Sequence, residues 1–223
     1  MKLVLFDCDG TLVDSQHMIV GSMTAAFDSL SLVPPSRETI LSIVGLSLPL
    51  AIGRLKPDAG SVEIAALVAA YKTAFHEARS GGLAEPLYPG TREVVTALAA
   101  QDDVLLGVAT GKSRRGLDAI LAHHDLARHF VVLKTADDAP SKPHPAMVVD
   151  AMAEVGVSPE RTVVVGDTVF DMEMARSAGA RGVGVSWGYH DALALTHAGA
   201  DPVIDHFDEL VPVLSRLFDA EAV

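Results

Sequence analysis

Short apolar runs rich in β-branched residues recur along this chain, and segments with helical spacing separate them. Leu3–Phe6, Val104–Ala109, Phe130–Leu133, Thr162–Val165 and Gly182–Ser186 read as strands. Between them, Val94, Val95 and Leu98 share a helix face, as do Leu117, Ile120 and Leu121. So do Met147, Val148, Ala151, Met152 and Val155, with Gly156 as the C-cap. Strands that alternate with helices specify an α/β fold, a parallel sheet covered on both faces. That choice also limits where function can sit. In such sheets ligands bind outside the carboxyl ends of the strands, and Asp7, Thr110 and Asp167 all fall there.

One region breaks the alternation. From about Ser15 to Arg79 only helical patterns are present: Ile19, Val20, Met23, Phe27 and Leu30 trace one stripe. Ile64, Leu67, Val68, Tyr71 and Phe75 trace another, with Ser61 as its N-cap. Pro34-Pro35 and the stretch from Pro57 to Gly60 separate the pieces. Residues 15–82 therefore read as a small all-α domain inserted after the first strand. Residues 1–14 and 83–223 form the sheet core, with 80–82 and 86–90 as the return linker. An insert that begins and ends beside the strand ends could act as a lid; an ordinary helical subdomain that never moves fits the same pattern.

The first strand ends in Asp7-Cys8-Asp9-Gly10-Thr11. Residues i and i+2 of a strand share a face, so Asp7 and Asp9 should leave it on one side. Like charges that close need a cation or a shared proton, which suggests a metal-assisted site. A strand followed by an Asp-Gly turn accounts for the segment equally well. Cys8, the only cysteine, should point the opposite way into packing, as a small buried hydrophobe.

Three further segments sit at strand ends. Thr110-Gly111-Lys112-Ser113 presents a hydroxyl and amides before a helix whose first turn favours anions, although Ser113 as a plain N-cap explains it too. Ser141-Lys142-Pro143-His144-Pro145 puts a cation before a proline-initiated helix. Taken alone it reads as a solvated lysine; beside carboxylates it would balance charge and hold a phosphoryl oxygen. In Gly166-Asp167-Thr168-Val169-Phe170-Asp171 the second aspartate lies one helical turn after the first. Such carboxylates can ligate Mg²⁺, while helix capping by Asp167 is the competing account and leaves Asp171 unexplained.

Composition narrows the partners. At 223 residues, with 49% hydrophobic and 21% charged, the chain is globular with ample core. A formal charge of −12 argues against nucleic acid or an anionic membrane as partner. A lone cysteine, no evident signal peptide and no membrane-length apolar run lead to a cytoplasmic expectation.

Together, Asp7-Cys8-Asp9-Gly10-Thr11, Thr110, Lys142-Pro143 and Gly166-Asp167-Thr168-Val169-Phe170-Asp171 resemble the four motifs of the haloacid dehalogenase superfamily, in order and across nearly the whole chain. The helical insert looks like the cap of its subfamily I members. The tail segments Val185 to Tyr189 and Ala200 to Asp205 are similar to the phosphoglycolate phosphatase branch. The resemblance implies a Rossmann-like core and a Mg²⁺-dependent phosphatase acting on a small phosphorylated metabolite. Asp7 would be the nucleophile, Asp9 the general acid and base, and Thr110, Lys142 and amides near Gly10 and Gly111 the phosphate ligands. Asp7, the Asp9 carbonyl and Asp167 would hold the metal, with Asp171 contacting it directly or through water, or orienting Lys142. Family dehalogenases and phosphonatases lack the second aspartate of the first motif, so Asp9 favours an oxygen leaving group. Sugar-phosphate mutases keep both aspartates but usually carry Glu-Asp where this chain has Gly166-Asp167; a mutase is the enzymatic alternative, and a non-catalytic binding protein on the same fold the other. The segment Val44 to Leu50 matches the place of a specificity loop, which puts Leu46, Ser47 and the nearby Arg54 forward as substrate-selecting residues. A substrate carboxylate, as in phosphoglycolate, would want a cation in reach, and this loop is mostly apolar; packing within the insert is an equal explanation for its leucines.

Overall fold

A computed structural model describes residues 1–82 and 84–219. Residue 83, where the core was expected to resume, and residues 220–223 lie outside the described residues. Among the described residues the sheet has six strands: β1 (Lys2–Phe6), β2 (Val104–Ala109), β3 (Val132–Lys134), β4 (Thr162–Gly166), β5 (Arg181–Val185) and β6 (Ala200–Ile204). All pair in parallel, in the order β3-β2-β1-β4-β5-β6. The central strand is apolar on both faces because both are covered. Val4 and Phe6 join Val163 and Val165 under α5 (Thr91–Ala99), α6 (Arg114–His123) and α10 (Leu210–Asp219). Leu3 and Leu5 join Val164 under α7 (Ala146–Val155) and α8 (Val169–Ser177). Burying each such side chain contributes roughly 1.5–3 kcal/mol, and a one-residue slip of β1 would exchange its two faces. One further helix, α9 (Ala192–Ala198), lies between β5 and β6.

Several expectations are corrected at this level. The third strand begins at Val132, because Phe130 turns inward and meets Phe6 edge-on at 6.3 Å, and its amide bonds the Ala127 carbonyl of a 3₁₀ turn. Strand β6 was not foreseen, since Pro202 reads against a strand. As an edge strand, β6 tolerates the missing donor. Helix α7 starts at Ala146, with Pro145 as its N-cap.

The segment after β1 folds into α1 (Gln16–Ser29), α2 (Arg37–Leu41), α3 (Leu48–Leu55) and α4 (Ser61–Ser80). These helices gather their own apolar core from Ile19, Met23, Phe27, Ile40, Val44, Ile52 and Leu67. Leu30, expected on that stripe, ends α1 and is 38% exposed. The N-cap of α4 is Gly60, with Ser61 its first residue. The chain's entry to and exit from these helices run side by side: Val13 and Leu87 form an antiparallel bridge, Asp14 N donates to Pro86 O at 2.8 Å, and Tyr88 N donates to Leu12 O at 3.0 Å. Among the described residues no helix is long and apolar enough to cross a membrane.

Candidate active site

The site is assembled at the carboxyl ends of β1, β2 and β4. Asp7 continues β1 by one rung, its amide donating to Val165 O at 2.8 Å. The chain then turns tightly, with Leu12 N and Val13 N both donating to Cys8 O at 2.9 and 3.0 Å, and Cys8 packs into the sheet core. Gly10 makes the turn possible. Its φ is +87°, and an added Cβ would stand 2.2 Å from Asp167 Oδ2. Thr110 follows β2, anchored by Thr110 N to Lys134 O at 3.0 Å, and its hydroxyl accepts from Lys112 N at 3.2 Å. Asp167 follows β4. Thr11 Oγ1 donates to its Oδ1 at 2.8 Å and Tyr189 N to its Oδ2 at 2.9 Å.

Asp171 sits in the first turn of α8, whose N-cap is Thr168 and not Asp167. Its Oδ2 accepts from Thr168 N at 3.1 Å and Thr168 Oγ1 at 2.6 Å, closing a capping box. Its Oδ1 accepts from Lys142 Nζ at 2.6 Å. The same ammonium lies 2.8 Å from Asp7 Oδ1, and Lys142, Asp7 and Asp171 are essentially without solvent contact.

Carboxylate oxygens of Asp7, Asp167 and Asp171 come within 4.8 Å of one another. One ammonium cannot neutralise three carboxylates. Burial pushes the Asp7 carboxyl up to about 7, with Lys142 opposing and Asp171 adding to the rise. Burial, then the charges of Asp7 and Asp171, hold Asp167 well above the usual carboxylate range. Against its own burial, Lys142 is kept charged by Asp171 and Asp7. The Lys142 ammonium faces Asp7 Oδ1 at 2.8 Å, and among the described residues nothing donates to the buried Oδ2. A buried carboxylate oxygen without a donor, in an excess of negative charge and beside two further carboxylates, fits a hard divalent cation.

A family profile described as haloacid dehalogenase-like hydrolase matches residues 4–185, which include all of these side chains. The chain belongs to that family. It is 35% identical over 211 residues to "Probable phosphatase IndB" of Dickeya dadantii, covering 94% of this chain and 91% of that one. It is 30% identical to the phosphoglycolate phosphatase of Haemophilus influenzae, covering 96% of this chain and 98% of the relative. A solved hydrolase from Pseudomonas syringae superposes with a TM-score of 0.86 at 25% identity, over 97% of this chain and 99% of that one. The chain is accordingly an enzyme, a phosphatase of the haloacid dehalogenase-like hydrolases, a family that uses a divalent metal.

In this hydrolase the helical insert is seated on the core. The carbonyls of Gly45 and Leu46 lie against Gly111, where an added Cβ would meet them at 2.5 and 2.7 Å. Ser47 N donates to Ser141 Oγ at 2.7 Å, and His190 Nε2 lies 3.2 Å from Ser42 O. Leu46 is buried in a seam with Ile43, Ala51 and Phe170, and the exposed Arg54 guanidinium lies over the Phe170 ring at 5.1 Å. Leu46, Ser47 and Arg54 thus all lie along the contact between insert and core. None of the three is hydrogen-bonded or ion-paired to Asp7, Asp9 or Asp167.

Sequence reasoning missed four contributors. Ser15 Oγ donates to Asp9 Oδ1 at 2.5 Å and lies 3.1 Å from the Tyr189 hydroxyl, while Lys112 reaches both Asp9 and Glu85. Lys112 left a trace in the sequence as a cation two residues past Thr110, and Tyr189 as the end of the tail segment that begins at Val185. His124 is half-buried and bonded to the Glu85 carbonyl at 2.8 Å.

Proposed function

We propose that this enzyme is a cytoplasmic, Mg²⁺-dependent phosphatase of a small phosphorylated metabolite, working through a phosphoryl-aspartate on Asp7, with residues 15–82 as its cap. The observation that carries the reading is the buried carboxylate of Asp7, paired through Oδ1 with Lys142 and without a donor at Oδ2, beside Asp167. The free thiol of Cys8 suits a reducing cytoplasm.

Asp7, Asp167 and the backbone carbonyl of Asp9 would hold the ion, while Asp171 carries the Lys142 ammonium on one oxygen and caps α8 with the other. When bound, Mg²⁺ supplies positive charge that offsets repulsion between carboxylates and an anionic phosphoryl group. Lys142 and the Thr110 hydroxyl bind the phosphoryl oxygens, with amides near Gly10 and Gly111 completing the cradle. Asp7 attacks phosphorus in line as the ester oxygen leaves. Asp9 donates its proton to that oxygen and then takes one from the water that hydrolyses the phosphoryl-aspartate. Asp171 fixes the Lys142 ammonium rather than touching substrate.

Phosphate release from p-nitrophenyl phosphate with and without Mg²⁺, by wild type and Asp7→Asn, tests the reading. Metal-dependent turnover in the wild type and none in the variant is expected; equal rates in the two folded proteins would overturn it. A panel with phosphoglycolate, sugar phosphates, nucleotides and pyrophosphate then selects the substrate class. Phosphoglycolate belongs there because the Haemophilus influenzae relative carries that name. Appearance of an isomeric sugar phosphate instead of inorganic phosphate would favour a mutase.

A further inference from the structure

Asp9 faces a second cluster of charge, separate from the metal-side carboxylates. Its Oδ1 takes Ser15 Oγ at 2.5 Å and Lys112 Nζ at 2.9 Å. Among the described residues nothing hydrogen-bonds its Oδ2, which leaves that oxygen for the leaving group. Lys112 is rooted on both sides of its Cα: its amide donates to Thr110 Oγ1 at 3.2 Å, and its carbonyl accepts from Ala136 N at 3.1 Å. An ammonium tethered to the phosphate-facing loop in this way has little room to wander. It is shared with Glu85, whose Oε1 lies 3.3 Å away. Burial works against its charge, but Asp9 and Glu85 outweigh that and keep it protonated.

Glu85 is 4% exposed, unusual for a glutamate in a linker, and it is held from three directions. Its carbonyl bonds His124, its Oε1 meets Lys112, and its Oε2 pairs with Arg79 of α4. Phe75, also on α4, sets its ring 5.2 Å from Lys112 Nζ and 5.4 Å from the Arg79 guanidinium. The core thus supplies Asp9 and Lys112, the return linker supplies Glu85, and the cap helix supplies an aromatic face and a second cation. A network that only stiffened the hinge would have no reason to end on the proton-transferring carboxylate.

We propose that Lys112 and Glu85 are a positioning pair that aims the Asp9 carboxylate at the leaving oxygen, completed by Phe75 and Arg79 when the cap is seated. The proposal rests on the phosphatase reading above. Its signature is selectivity for poor leaving groups: p-nitrophenolate departs with little help from an acid, whereas the more basic phenolate needs the proton. General acid catalysis is worth roughly 10²–10⁴-fold, and misaiming the acid forfeits part of that.

The test compares kcat/KM for p-nitrophenyl phosphate and phenyl phosphate at saturating Mg²⁺, so that both report phosphoryl transfer to Asp7. Asp9→Asn sets the full selective loss. Lys112→Met and Glu85→Gln are expected to lower the phenyl ester on the order of 10-fold more than the p-nitrophenyl ester. Lys112→Arg should keep the wild-type ratio, and the double variant should lose no more selectivity than the worse single. Equal losses on both esters would overturn the proposal while leaving the phosphatase reading intact. No metal-dependent release from either ester by folded wild type would overturn that reading itself. Glu85→Gln keeps the shape of the side chain and carries the comparison alone if Lys112→Met fails to fold.

Discussion

Asp171 serves two masters within one helical turn. One oxygen caps α8 through Thr168 and the other takes the Lys142 ammonium, all without solvent. Asp171→Ala would leave a buried ammonium with a single carboxylate and strip the cap as well. Breaking a buried pair costs about 3–5 kcal/mol, so urea denaturation should show a loss of that order, with activity falling as Lys142 loses its anchor. Asp9→Asn belongs at the same scale but leaves the packing alone. Turnover of phenyl phosphate should drop by roughly 10²–10⁴-fold, with the denaturation midpoint near that of wild type. Asp7, Thr110 and Asp167 were legible in the sequence because each directly follows an apolar strand, and a parallel sheet gathers such positions at one edge. Ser15 and Glu85 were not, nor was the reach of Tyr189 from its tail segment into the site. Each is an ordinary residue by type, and the Ser15–Tyr189 contact spans 174 positions of chain with no local pattern to announce it.

Helices and strands place these groups, and at that scale the seam between cap and core is the sensitive part. The Ser47–Ser141 hydrogen bond crosses it directly. Ser141→Ala removes a contact worth about 1 kcal/mol, so if the insert opens as the proposed cap, its seated population should fall about five-fold relative to the open one. Limited proteolysis near Gly81 and Gly82 should then speed up. Gly111→Ala acts more harshly at the same seam, because its Cβ would collide with two backbone carbonyls that cannot rotate away. Its kcat should fall with little change in the melting temperature of the core. Five of the six strands could be located in advance, since β-branched runs between helical patterns have few other uses. The sixth escaped because Pro202 disqualifies a central strand and position in a sheet is a tertiary property. The α4 cap was misplaced by one residue for a similar reason: Gly60 and Ser61 are both acceptable N-caps, and only the packing of α4 chooses.

Across the whole molecule, the excess of buried carboxylate sets a pH dependence. An Asp7 carboxyl raised to about 7 binds more proton in the folded metal-free protein than in the unfolded chain, where it titrates near the ordinary value of 3.8. Stability from this group is therefore greatest below about 4 and declines as pH rises toward 7. Asp167, raised in the same direction, extends the effect. Thermal unfolding in chelator should show a smaller contribution to stability from this site at pH 8 than at pH 5. Added Mg²⁺ should raise the melting temperature more at pH 8, where it replaces protons that have already left. An equal metal-induced shift at the two pH values would contradict this account.

The paired entry and exit of the cap, joined by the Val13–Leu87 bridge and its two flanking hydrogen bonds, restrict how the cap can travel. Two chain crossings laced together can bend as a strap but cannot slide past each other without breaking the lacing. For the proposed cap, opening would then reduce to one angular coordinate. Trp187 donates its indole N–H to Thr11 O at 3.1 Å, and its ring lies 6.2 Å from Tyr88, with one neighbour on each side of the strap. It is the only tryptophan in the chain. Trp187 touches both crossings, so if the proposed cap opens, an unlabelled sample excited at the indole band should report it as a single relaxation.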